Sequence, residues 1–80
     1  MADYQLAERI VVSRDVLHGK ARIAGTRIMV SQILDMPGAG KSIAEITSED
    51  YYPDISAEDV MACVRYASSV VKTEVVVPNL

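Results

Sequence analysis

The sequence predicts a mainly α domain in which three helices follow a short N-terminal β-arm or hairpin. Three observations carry that expectation. A β-branched run and a glycine turn precede residue 31, three helix-start signals follow it, and the last segment holds a 3.6-residue apolar period. The 80 residues fit one domain, with an arm over 9–30, three helices over 31–73 and an extended tail over 74–80.

In chain order, Ile10-Val11-Val12 ends in the turn composition Ser13-Arg14-Asp15 and reads as a strand. Residues 21–30 hold two apolar stretches around Ala24-Gly25-Thr26, where Gly25 supplies the positive φ of a tight reversal. Ser31 is the candidate cap of a first helix over Gln32 to Met36, which Pro37 and Gly38-Ala39-Gly40 should end or kink. Ser42-Ile43-Ala44-Glu45 is a capping box that starts the second helix. Ser56-Ala57-Glu58-Asp59 starts the third, with Ile55 and Val60 placed as a hydrophobic staple.

The third helix carries Ala57, Val60, Met61, Val64, Ala67, Ser68 and Val71 on one stripe, predicted to face the core. A second apolar row, Cys63, Tyr66 and Val70, is then left over and predicts a partner or dimer surface. The β-branched tail Val75-Val76-Val77 before Pro78 reads as an extended segment able to pair with a sheet edge, and joins that surface. Two short helices and a longer third match the order of a helix-turn-helix module. Its reading turn would be Ser56-Ala57-Glu58-Asp59, acidic where DNA contacts call for basic or amide groups.

Charge divides the chain. Residues 1–41 carry +2 and residues 42–80 carry −5, for a net −3. A nucleic-acid contact therefore falls to Arg14, Lys20, Arg22, Arg27 and Lys41, whose competing reading is ordinary surface ion pairing. With no Trp and no Phe, the chain has no stacking platform for single strands. One cysteine, Cys63, closes no internal disulfide, no apolar run approaches a membrane span, and the start MADYQLAER is too polar for a signal peptide, so a cytoplasmic protein is expected.

Chemistry-bearing patterns are few. Gly38-Ala39-Gly40-Lys41-Ser42 matches the end of a phosphate-binding loop, but Asp35 stands where its first Gly belongs and no strand leads into it; an inter-helix turn is the better reading. His18 and Cys63 lie on different elements with no third group to orient them, and most of the carboxylates sit in helix first turns, where they meet the macrodipole. The expectation is a non-enzyme with no cofactor and no metal.

The stretch from Arg9 through His18-Gly-Lys-Ala-Arg-Ile-Ala-Gly-Thr-Arg27, with Gly40-Lys-Ser-Ile-Ala-Glu-Ile46 and Tyr52-Pro-Asp-Ile-Ser-Ala-Glu-Asp-Val60, resembles the family catalogued as domain of unknown function 433. The resemblance spans roughly residues 9–70. It implies a homeodomain-like three-helix fold with a short β segment, and for some members an antitoxin encoded beside a PIN-like ribonuclease toxin. The family's Gly-Lys-Pro-x-Ile-x-Gly-Thr-Arg segment has Ala21 in place of Pro here, and Pro37-Gly38 interrupts a first helix that is usually continuous. Gly25, Thr26 and Arg27 match the motif; Arg27 is placed either to lock the arm to a carboxylate or to reach a phosphate. The function implied is an antitoxin-like homodimer that neutralises such a ribonuclease and binds operator DNA. The alternatives are a stand-alone transcriptional regulator and a structural homodimer with no nucleic-acid role.

Overall fold

A computed structural model describes residues 3–75. The chain runs β1 (Tyr4–Ala7), β2 (Ile10–Val12), a single 3-10 turn at Leu17–Gly19, β3 (Arg22–Ile23), α1 (Val30–Gly38), α2 (Ile43–Ile46) and α3 (Ala57–Thr73). The strands form an antiparallel sheet in the order β1-β2-β3, with Tyr4 opposite Val12, Ala7 opposite Ile10 and Ile10 opposite Ile23.

This corrects the expected mainly α, helix-turn-helix bundle. The fold is a three-stranded antiparallel sheet with three helices, of which only α3 is long. α2 is a single four-residue turn, too short to present a face of its own. Ile10 and Ile23 from the sheet complete the core that Val30, Ile33, Ile46, Ile55, Val60, Ala62 and Cys63 build from the helical side. The sheet is therefore part of the hydrophobic nucleus. β1 escaped sequence reading because Tyr-Gln-Leu-Ala has little β-branching; its place comes from backbone pairing with β2.

The reversal at residues 21–30 is present. Arg22 bridges Met29, the Ile23 N–H donates to the Ile28 carbonyl at 3.0 Å, and Gly25 takes φ +77°. Thr26 seals it, its hydroxyl donating to the Ile23 carbonyl at 2.8 Å and accepting from the Ile28 N–H at 3.0 Å.

α1 starts at Val30, one residue before the expected Ser31 cap, and the Gln32 side chain accepts from the Met29 N–H instead. It also passes through Pro37 to Gly38. Pro37 stands in the last turn, and the stop is a Schellman motif: Lys41 N–H to the Met36 carbonyl and Gly40 N–H to the Pro37 carbonyl, both 2.9 Å, with Gly40 at φ +87°. The glycines that resembled a phosphate loop thus terminate a helix. The boxes at Ser42/Glu45 and Ser56/Asp59 are both formed, with all four bonds between 2.9 and 3.2 Å. Ile55 and Val60 are both buried, as the staple requires.

Burial on α3 cuts across the two expected rows: Val60 of the core stripe is buried and Val70 of the second row is exposed, as expected, but the other positions depart from expectation. Cys63 is fully buried and Tyr66 packs half-buried against the core, while Met61, Val64 and Val71 of the expected core stripe are 39, 37 and 65% exposed. Ile10 and Ile23 of the sheet pack in the same core as Val60 and Cys63, and Arg9 adds a charged contact to the same end of α3. From the β1–β2 turn, where it takes a left-handed φ of 68°, it donates to Asp59 at 3.0 Å and Glu58 at 2.8 Å, docking the sheet on one side of α3.

Arg22 is buried and holds three segments at once. It donates to the Asp3 carboxylate at 2.8 Å, to the Thr26 carbonyl at 3.0 Å and to the Ser13 hydroxyl at 3.4 Å, while Ser13 itself donates to Asp3. Replacing Arg22 by Met keeps apolar volume but strips Ser13 and the Thr26 carbonyl of their donor. The expected loss is about 1–3 kcal/mol, read as a lower urea midpoint; an unchanged midpoint would show the guanidinium is dispensable.

Three carboxyls lie below their ordinary values: Asp3 through bonds from Ser13 and Arg22, Glu45 through the Ser42 N–H, and Asp59, where bonds from Ser56 and Arg9 outweigh the upward push of burial. Groups lowered in the folded state lend stability that is complete above their unfolded values and is lost as pH falls through the folded ones. The urea midpoint should hold from neutrality to about pH 5 and fall steadily below pH 4; a midpoint that rises on acidification contradicts this.

Candidate functional site

β3, α1 and α3 leave a groove between them. Lys20 and Ala21 enter it from the chain leading into β3, Val30, Ser31 and Leu34 from α1, and Tyr66, Ala67, Val70 and Val71 from α3; its volume is about 330 Å³. Spacing explains the walls. Val30 and Leu34 are one turn apart on α1, and Tyr66 with Val70 and Ala67 with Val71 are one turn apart on α3, so each helix offers one apolar strip. The groove is open to solvent, and the exposed Lys20 sits at its rim.

The predicted interface residues separate. Tyr66 and Val70 reach the groove, and Val70 is 46% exposed. Cys63 does not: it is sealed in the core, where burial and then the charge of Asp59 push its thiol up to about 11. Val75 follows α3 and is exposed; Val76 and Val77 lie outside the described residues.

The basic set separates too. Arg22 is committed inside the fold. Lys41 is half-buried with its ammonium 5.5 Å from the centre of the Tyr51 ring, and Tyr51 holds it above the usual lysine range. Arg14, Lys20 and Arg27 are exposed and have no ion-pair partner among the described residues. Arg27 is thus not the lock of the arm; Thr26 and Arg22 perform that task. His18 is exposed within the turn at Leu17–Gly19, and among the described residues no group of three His, Cys, Asp or Glu side chains is placed to hold a metal ion.

Sequence reasoning missed Lys20, Ala21, Val30, Leu34, Ala67 and Val71 as groove residues. They come from three distant segments, and no spacing rule links them. Only the one-turn pairs within each helix were visible.

The segment spanning β2 through most of α3, residues 10–67, matches the family described as Protein of unknown function (DUF433). The chain belongs to the DUF433 family. No curated protein and no solved structure matches it. The matched DUF433 segment includes β2, β3, both capping boxes and the Arg22 cluster apart from Asp3, but leaves out β1 and Arg9 and stops before Val70 and Val71 of the groove.

Cys63 should resist alkylation in the folded protein. A thiol near 11 rather than 9.0 carries about a hundredfold less thiolate at neutral pH, and burial slows reaction further. Labelling with iodoacetamide should wait for denaturant; rapid labelling of native protein contradicts the buried placement.

Proposed function

We propose that this chain is a non-catalytic, antitoxin-like protein that neutralises a PIN-like ribonuclease by seating an apolar segment of it in the groove between β3, α1 and α3. The observation that carries the reading is the groove itself: an open, mostly apolar cleft of about 330 Å³ with a lysine at its rim. A small domain gains from covering such a surface, and a cleft walled by two helices suits an apolar segment whose side chains enter in turn. The acidic second half of the chain adds complementarity to a basic nuclease surface.

Contact with operator DNA falls to Arg14, Lys20 and Arg27, since Arg22 and Lys41 are engaged within the fold. Three separate cations on a chain of net charge −3 give a weak phosphate footprint. The protein partner is therefore the primary reading.

The test is affinity capture from the native cell at moderate salt, comparing the natural chain with Val70→Glu. Val70 is 46% exposed, so the substitution leaves the core alone and places a charge on the groove wall. A stoichiometric PIN-like nuclease, inhibited by the natural chain and bound about tenfold more weakly or worse by the variant, is expected. Absence of such a nuclease, or equal binding by both forms, overturns the reading.

A further inference from the structure

We propose that the outward face of α3 pairs antiparallel with the same face of a second copy of this chain. The face meets the groove wall at Val71, but its other residues lie outside the groove and the inference does not rest on the groove. Ala57, Met61, Val64, Ser68 and Val71 follow one another at alternating spacings of four and three, the pattern that keeps a seam facing a partner helix. None of the five is buried: Met61 and Val64 are more than a third exposed, Val71 about two thirds. The core is filled from the other side of the helix by Val60, Ala62 and Cys63. An amphipathic helix that satisfies its core with one row and still carries a second, heptad-spaced apolar row has a face left for another helix.

Charge selects the occupant and its direction. Glu58 and Lys72 flank the seam on the same side, seven residues to either side of Arg65; all three are exposed, and the Glu58 carboxylate, which accepts from Arg9 of its own chain through one oxygen, keeps its other oxygen for a second cation. A twofold axis near Arg65 therefore brings Glu58 of each copy to Lys72 of the other, two opposite-charge pairs from a single surface. The same axis sets the long Met61 side chain against Ser68 and Val71 of the second copy, large against small. A parallel pair would give Arg65 and Lys72 only the uncharged Val60 and Ala67 as flanking neighbours. The antiparallel arrangement also opposes the helix dipoles, whose acidic first turn and basic last turn are already in place. One contact opposes it: Arg65 lies beside its own copy at the axis, which limits affinity.

Sedimentation equilibrium of the full chain, from micromolar to millimolar, tests the pairing. A reversible dimer is expected, weakened about tenfold or more by Val64→Glu, which buries an unpaired charge in the seam, while circular dichroism stays that of the natural chain. Should Val64→Glu disturb the fold, Ser68→Arg at the exposed centre of the same seam carries the test. Arg65→Gln should tighten the dimer severalfold, and Glu58→Gln and Lys72→Gln should each weaken it with effects that are not additive in the double variant. A chain monomeric at millimolar concentration overturns the proposal, as does a dimer insensitive to the seam variants. A dimer lost in Val70→Glu and kept in Val64→Glu overturns it too, by placing the contact in the groove. Additive effects at Glu58 and Lys72 overturn the antiparallel pairing.

Discussion

A guanidinium lies buried among β-strands in Arg22, and the arm is arranged around that fact. Such a group is tolerated only when its donors are met and its charge is opposed. Asp3 supplies the opposing charge, Ser13 a hydroxyl and Thr26 a carbonyl, so one side chain ties the start of β1, the end of β2 and the turn after β3. Val11, opposite Arg22 on β2, and Ile23, next to it on β3, are buried as well. Among the described residues no buried side-chain polar atom is left without a partner.

The arm is docked onto α3 through the shared core of Ile10 and Ile23 and, at its edge, through one charged point. Arg9 grips Glu58 and Asp59, and these carboxylates also belong to the first turn of α3, with Asp59 closing the box on Ser56. The same residues therefore start the helix and hold one side of it to the sheet. Once that side is fixed, Val60, Ala62 and Cys63 turn inward against Ile10, Ile33 and Ile46, and two apolar surfaces of α3 remain. One, with Tyr66 and Val70, becomes the wall of the groove; the other, with Met61 and Val64, faces solvent. This small domain thus leaves two apolar surfaces of α3 open to solvent, while its one thiol is buried.

Much of the helical layer was legible. The boxes at Ser42 and Ser56 and the staple of Ile55 on Val60 are local devices, each decided by residues within five positions of one another, and each is formed. The strand at Ile10–Val12 and the reversal at Gly25 are local in the same sense. The candidate site was barely legible. Arg14, Lys20, Arg22, Arg27 and Lys41 look alike as cations in a string, and nothing local distinguishes the buried Arg22 from the exposed Arg27. Their fates are set by Asp3 and Tyr51, partners 19 and 10 residues away.

The sequence by itself determined where α2 and α3 begin, where the chain reverses at Gly25 and that α3 carries more apolar surface than one core requires. Those properties depend on backbone bonds and side-chain periods that span a turn or two. Only the tertiary structure decided that the arm is a three-stranded sheet sharing the core, that Cys63 faces inward while Met61 and Val64 face outward, and that α1 and α3 stand apart far enough to leave a groove. An apolar period states that a helix has a face; it does not state which of two faces is buried. That choice is made by contacts between distant segments, Ile10 and Ile23 of the sheet with Val60 and Cys63 in the core and Arg9 on the first turn of α3, whose geometry exists only once the chain has closed on itself.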